Sequence, residues 1–266
     1  MIMKTFKNKK HFTFCLLAFV MLLSSFILFK DKRPTLYIIG DSTVKNGQGK
    51  GGGGLWGWGD MLAPYVDTTK LRLENDALGG TSSRTFQTKG LWDKVLDKVE
   101  HGDFVIMQFG HNDGSPLDDT ARARGTIRGI GEESKEINNP ITKQLEVVHT
   151  YGWYMRKYIS DVVAKGAIPI VCSPIPRNEW KDGKVSRSSD SYGLWAEQVA
   201  KEENAYFVDL NNLIAAKYEE LGVDKVKTFF PGDHTHTGLE GAQLNAQIVA
   251  TALKEKGPSV IRKYFK

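Results

Sequence analysis

Five short runs rich in β-branched and aromatic residues recur along the chain, too far apart to be joined as hairpins, and longer amphipathic stretches fill most of the gaps. Parallel strands need a crossover of a dozen or more residues, so this alternation predicts βαβ units and an α/β fold. Strands are expected over 35–39, 71–75, 104–109, 168–173 and 206–209. Helices are expected over 58–66, 91–100, 144–165, 191–203, 211–221 and 239–256. Thr237 and Glu240 have the spacing of a capping box ahead of the last helix. Two stretches fit no regular element: the glycine-rich 46–54 and the polar, charged 114–140. Both follow strand ends, where open parallel sheets bind their ligands, and loops as long as the second are usually functional or disordered.

The chain has 266 residues, of which 1–33 read as a targeting segment and 34–266 as one domain. Lysines precede an apolar run over 12–29, the layout of a secretory signal. The run is close to the shortest that spans a bilayer, and no clear Ala-x-Ala site follows it. A cleaved signal peptide and a retained N-terminal membrane anchor both fit, and either implies a periplasmic or extracellular protein. The formal charge of +5 resides in this leader, which holds seven of the 36 basic residues and one of the 31 acidic ones. The body is close to neutral and offers no electrostatic footprint for nucleic acid. Of the two cysteines, Cys15 belongs to the leader, so the body has only Cys172 and no disulfide of its own. Cys172 lies in a strand run and reads as a small core residue rather than a thiol nucleophile.

Four polar motifs sit at predicted strand ends. Gly40-Asp41-Ser42 delivers a hydroxyl just past the first strand, and a serine becomes a useful nucleophile only when a base takes its proton. Asp233-His234-Thr235-His236 lies just before the last helix. The three-residue spacing lets the Asp233 carboxylate hold one imidazole nitrogen of His236 and leave the other free. Asp233, His234 and His236 also suit a metal, but no second cluster supplies further ligands. Asn75-Asp76-Ala77-Leu78-Gly79-Gly80 and Gly110-His111-Asn112-Asp113 end two other strands, and a glycine N–H and an asparagine amide suit an oxyanion. Each motif alone could be a plain turn; four together are hard to obtain by accident. Lys50 beside its glycines lacks the Ser or Thr that a phosphate-binding Walker loop requires after the lysine.

These four blocks resemble the ordered blocks of the SGNH (GDSL-type) hydrolases, and their wording is most similar to the rhamnogalacturonan acetylesterases of carbohydrate esterase family 12. The similarity runs from about Pro34 to Lys256. It implies a three-layer α/β/α sandwich with a five-stranded parallel sheet in the order 2-1-3-4-5. It further implies Ser42 as nucleophile, His236 as general base and acid, and Asp233 as the carboxylate that orients it. The oxyanion hole would be the N–H groups of Ser42 and Gly80 with the Asn112 amide. Asp41 would support the turn, and His111 and His234 would be secondary or substrate contacts. No metal or other cofactor is implied. The Gly-x-Ser-x-Gly elbow of α/β-hydrolases is absent from Gly40-Asp41-Ser42-Thr43-Val44.

An acetylated acidic polysaccharide is the expected substrate. Among Trp56, Trp58, Trp153, Trp180 and Trp195, core packing is the default, and only Trp56 and Trp180 are candidates to stack on a sugar. Arg122, Arg124 and Arg128 lie in the long loop, where guanidinium groups could pair with uronate carboxylates. The competing reading pairs them with Asp118, Asp119, Glu132 and Glu133 in a solvated loop. Two other functions remain open: an SGNH hydrolase of lipid or thioester acyl groups, and a non-catalytic carbohydrate-binding protein. Polar loops beside the site argue against the first, and the full set of reactive side chains argues against the second.

Overall fold

The five expected strands form one parallel sheet in a computed structural model that describes residues 33–266. The leader read over 1–33 therefore lies, but for Arg33, outside the described residues. In chain order the strands are β1 (Thr35–Gly40), β2 (Arg72–Asn75), β3 (Phe104–Gln108), β4 (Ser134–Asn138), β5 (Leu145–His149), β6 (Ile168–Cys172), β7 (Trp180–Lys181), β8 (Lys184–Val185) and β9 (Tyr206–Val208). The sheet order is β2-β1-β3-β6-β9, which is the 2-1-3-4-5 order expected; β4–β5 and β7–β8 are separate antiparallel hairpins. The helices are α1 (Ser83–Thr88), α2 (Leu91–Leu96), α3 (Tyr151–Ala164), α4 (Tyr192–Glu202), α5 (Leu210–Leu221), α6 (Val223–Lys227), α7 (Leu239–Lys256) and α8 (Ser259–Arg262).

The central strands β1 and β3 are buried along their whole length, because helices cover both faces of the sheet. Successive side chains alternate between those faces. Leu36, Ile38 and Ile106 pack with Ile214 and Tyr218 of α5 and with Ala246, Val249 and Leu253 of α7. Tyr37, Ile39, Val105 and Met107 pack on the other side with Trp92 of α2, Tyr158, Ile159 and Val162 of α3, and Val199 of α4. The result is the expected three-layer α/β/α sandwich. Burying each such Leu, Ile or Val contributes about 1.5–3 kcal/mol. Cys172 is fully buried on β6, and burial pushes its thiol well above the usual range, as suits a core residue.

Several local expectations need correction. Residues 58–66 form two short 3-10 turns, Trp58–Met61 and Ala63–Tyr65, instead of a helix. Pro64 lacks an N–H and its ring would collide with the carbonyl one turn earlier, so an α-helix cannot run through it. The helix expected over 91–100 stops at Leu96. The helix expected from 144 begins only at Tyr151, after Thr150 caps it by accepting the Trp153 N–H at 3.0 Å. The residues before it form β5, where the β-branched pair Val147-Val148 lies against β4. The 114–140 stretch is accordingly not all loop, since its last part supplies β4. The capping box is absent: α7 starts after Gly238, Thr237 Oγ1 donates to the Trp56 carbonyl at 3.0 Å, and Glu240 meets Lys225 at 2.6 Å. Helix α1 was not expected; Ser82 caps it by accepting the Thr85 N–H at 3.1 Å.

Candidate active site

Strand β1 ends in a turn that requires glycine. A Cβ on Gly40 would stand 2.6 Å from the Gln108 carbonyl oxygen of the neighbouring strand. Beyond it, Asp41 is wholly buried in a continuous hydrogen-bond network. Trp58 Nε1 donates to Gln108 Oε1 at 2.9 Å, and Gln108 Nε2 donates to Thr43 Oγ1 at 2.7 Å. Thr43 donates to Asp41 Oδ1 through both its N–H (2.9 Å) and its hydroxyl (2.8 Å). His111 Nδ1 lies 3.0 Å from Asp41 Oδ2, and His111 Nε2 lies 2.9 Å from the Ile175 carbonyl oxygen. Burial raises the Asp41 pKa, but the His111 charge and the bonds from His111 and Thr43 outweigh it and hold the carboxyl below its ordinary range. This network fixes the backbone on which Ser42 stands.

Ser42 itself faces the loop before α7. Its Oγ is 2.8 Å from His236 Nε2, and His236 Nδ1 is 2.7 Å from Asp233 Oδ2. The carboxylate partner sets the tautomer: Nδ1–H donates to Asp233, which leaves Nε2 to accept the serine proton. Asp233 Oδ1 also accepts the backbone N–H groups of Thr235 (2.6 Å) and His236 (2.8 Å). Desolvation works to raise the Asp233 pKa, yet the His236 side chain and these two N–H groups bring it down to about 2. The three-residue spacing is thus a turn in which one carboxylate holds both the backbone and the ring of His236. His234 points elsewhere, its Nε2 3.4 Å from Glu179, so the Asp-His-Thr-His block does not converge on one point as a metal site would.

Two further strand ends close around Ser42. Gly79 approaches so closely that a Cβ there would lie 3.4 Å from the Ser42 Cβ, and Gly80 takes φ of +81°, a conformation that favours glycine. The N–H groups of Ser42 and Gly80 take no acceptor among the described residues and are free to donate. Asn112 is buried and spends one amide N–H on the Thr81 carbonyl at 2.7 Å, which orients the amide and leaves its second N–H. Such a set of donors can hold an oxyanion. Next to it Asp113 accepts from the Ser83 N–H at 3.0 Å, while its Oδ2 is buried without a partner. Burial raises this carboxyl to about 7 against the Ser83 bonds, and the nearby Asp41 charge adds to the rise.

The remaining candidates fall into different surroundings. His111 is almost fully buried with both ring nitrogens engaged, so it positions the site and has no nitrogen left for a substrate. Trp56 is half-buried beneath Gly51, with its backbone N–H donating to the Thr237 carbonyl at 2.8 Å. Trp180 packs partly on the core and donates Nε1–H to Asn178 Oδ1 at 2.7 Å. Trp58 is core, and Trp153 stacks on His149 with ring centroids 3.9 Å apart.

Among the described residues Arg122 and Arg124 form no ion pair with the acids of their loop, and Glu132 pairs instead with Arg156. Arg124 Nη1 donates to the Gly80 carbonyl at 3.3 Å, and an Arg122 guanidinium nitrogen lies 3.3 Å from where a Gly80 Cβ would stand. Between them Ala123 is buried at φ +44°, a conformation that costs a residue with a Cβ about 1–3 kcal/mol. Burial, and then the neighbouring Arg122 charge, lower the Arg124 pKa. The loop carrying them is pinned by Arg84, which is fully buried. Arg84 grips Glu146 through Nε and Nη2, each at 2.7 Å, and donates Nη1 to the carbonyls of Leu117 (2.9 Å) and Gly125 (2.8 Å).

Sequence reasoning missed a cleft of about 550 Å³ at the carboxyl ends of β3 and β6, with His111, Arg128, Arg177 and Tyr192 among its walls. The signal was the Pro174-Ile175-Pro176-Arg177 run directly after β6, a stiff exit from the strand that delivers an arginine to the ligand edge of the sheet.

Fold and side chains together define the class: an α/β/α hydrolase whose candidate site stands at the carboxyl edge of its sheet. The chain belongs to the GDSL-like lipase/acylhydrolase family, which it matches over residues 36–249, and it is an esterase. It is 32% identical over 220 residues to a rhamnogalacturonan acetylesterase of Emericella nidulans, covering 82% of this chain and 84% of that one. It is 30% identical over 226 residues to an uncharacterized esterase of Bacillus subtilis, YxiM, covering 84% of this chain and 52% of the other. The crystal structure of YxiM superposes with a TM-score of 0.67 at 27% identity, over 85% of this chain and 58% of that chain. An acetylxylan esterase from Geobacillus stearothermophilus shares the fold, with a TM-score of 0.56 at 20% identity over 86% of this chain and 96% of that one.

Proposed function

We propose that the protein is an exported carbohydrate O-acetylesterase that removes acetyl groups from a pectic, rhamnogalacturonan-type polysaccharide through an acetyl-enzyme. The observation that carries the chemistry is the unbroken line Ser42 Oγ–His236–Asp233, with contacts of 2.8 and 2.7 Å. His236 Nε2 takes the Ser42 proton as Oγ attacks the acetyl carbonyl carbon. The tetrahedral oxyanion accepts from the Ser42 and Gly80 N–H groups and from the Asn112 amide. His236 then returns the proton to the departing sugar oxygen, leaving acetyl-Ser42. Water, deprotonated by His236, attacks that ester, and collapse releases acetate and restores the serine. Asp233 keeps the ring oriented and stabilises its cationic form throughout.

The acidic polysaccharide is supported by the relative named a rhamnogalacturonan acetylesterase. It is also supported by Arg122 and Arg124, which stand beside Gly80 without carboxylate partners and could read a uronate near the scissile ester. Export rests on the basic and apolar leader. The test is acetate release from acetylated rhamnogalacturonan, acetylated xylan and a long-chain ester. The reading expects the first to be the best substrate by kcat/KM. A preference for the long-chain ester would point to a lipid acylhydrolase, and polysaccharide binding with no release from any substrate would point to a binding protein.

A further inference from the structure

The cleft beside the candidate active site is joined to it on two sides. His111 on its wall bonds Asp41 and immediately precedes Asn112, and Glu179 on its wall meets His234, two residues before His236. A polymer whose acetyl group lay at Ser42 could continue into this cleft along the carboxyl ends of the strands.

Three arginines line it, and they differ in what they already hold. Arg187 is neutralised, with Nη1 2.5 Å from Glu219 and Nε donating to Asn212 at 2.9 Å. Among the described residues Arg128 forms no ion pair, and its guanidinium sits 5.5 Å above the Trp195 ring. Arg177 donates Nη2 to the His111 carbonyl at 3.2 Å, and its Nε is buried with no partner. The contrast with Arg84 is informative: an arginine serving structure alone spends Nε and both terminal nitrogens on acceptors. A buried donor left unmade costs free energy, and a planar carboxylate is the acceptor that fits a guanidinium edge. Ser188 Oγ, also on the wall, is likewise buried without a partner. The wall acids do not cancel the two arginines: Glu179 is turned to His234, and Asp190 is exposed.

We propose that Arg177 and Arg128 form a uronate subsite that binds the carboxylate of a sugar neighbouring the acetylated one, in addition to any carboxylate read by Arg122 and Arg124. This rests on the acetylated acidic polysaccharide reading and adds the place where its neighbouring sugar is held. The subsite makes charge on the polymer, and not only its acetyl group, a determinant of turnover.

The test compares acetate release from acetylated rhamnogalacturonan oligosaccharides with free carboxylates and from the same oligosaccharides methyl-esterified. The wild-type enzyme is expected to favour the free acid by about tenfold or more in kcat/KM, carried mainly by KM. Arg177→Ala and Arg128→Ala should each cut that preference by about threefold or more, and Arg177→Lys should restore it only in part because it loses the fork. Because the readout is a ratio of two substrates on one enzyme, partial loss of folded protein cancels. Equal wild-type rates on the two substrates, or a preference unchanged in both alanine variants, would overturn the subsite. A wild-type enzyme that cleaves a small acetate ester but releases no acetate from either oligosaccharide would overturn the polysaccharide reading, and the subsite with it.

Discussion

Two aspartate–histidine pairs flank Ser42, and they are built for different work. In the Asp233–His236 pair the carboxylate and ring are 46% and 26% exposed, and the second ring nitrogen ends on a hydroxyl. In the Asp41–His111 pair they are 1% and 6% exposed, and the second ring nitrogen ends on a backbone carbonyl. A hydroxyl can give up its proton and a carbonyl has none to give. The first pair can therefore pass a proton to and from a substrate, while the second can only hold its place. The difference lies in what each imidazole touches on its far side, and in whether water and substrate can reach it.

The largest effect is expected at the exposed pair. His236→Ala should lower kcat on a small acetate ester by about 10⁴-fold or more, as loss of a serine base does, while His234→Ala should change it only several-fold. Steady-state kinetics would check this, and a reversed pair of results would move the base to His234. Next, Asn112→Ala should cost about 10²–10³-fold in kcat with little change in KM, because in the proposed mechanism its amide serves the transition state more than the ground state. A change confined to KM would remove it from the oxyanion hole.

The buried pair should fail differently. His111→Ala leaves Asp41 as a buried carboxylate without its imidazole partner, which costs about 3 kcal/mol or more. For a domain of this size that is a fall in Tm of about 6–12 °C, readable by thermal melts. A melting temperature unchanged, with kcat lost as in His236→Ala, would make the two pairs equivalent and defeat the distinction. The smallest effect concerns Asp113. Its proton is held up to about pH 7 in the folded chain but is lost near 3.8 in the unfolded one. Between those values the folded state binds more protons, so this contribution to stability is present at low pH and lost as pH rises through 7. Asp113→Asn cannot ionise, so relative to wild type it should gain a few degrees in Tm on going from pH 5 to pH 8. A constant difference between the two proteins would show that Asp113 is ionised throughout.

The same contrast explains what was legible in the sequence. The strand runs follow from short β-branched and aromatic stretches, and the Asp233–His236 contact from a spacing of three, whereas the sheet order and the pairing of Ser42 with His236, 194 residues away, were legible only through the resemblance of the motif blocks to a known family. The Asp41–His111 pair and the Arg84–Glu146 anchor join residues 70 and 62 apart, and neither a local pattern nor the motif blocks announce them. The failure at residues 144–150 has the same cause. That stretch carries a serviceable helical pattern, and only pairing with β4 makes it a strand. The capping box failed because Thr237 found a better acceptor in Trp56, 181 residues away. The Pro174-Ile175-Pro176-Arg177 run marks Arg177 as standing near the strand ends, but no sequence pattern shows that its Nε goes unpaired.

In the proposed mechanism Ser42 is the group made reactive, and His236, not His111, makes it so. Incubation with a fluorophosphonate, which phosphonylates activated serines with loss of fluoride, followed by mass spectrometry of the digested protein, tests this. One modification per chain is expected, located on Ser42, lost in His236→Ala and retained in folded His111→Ala. A label on another residue, or labelling of Ser42 that survives His236→Ala undiminished, would contradict it.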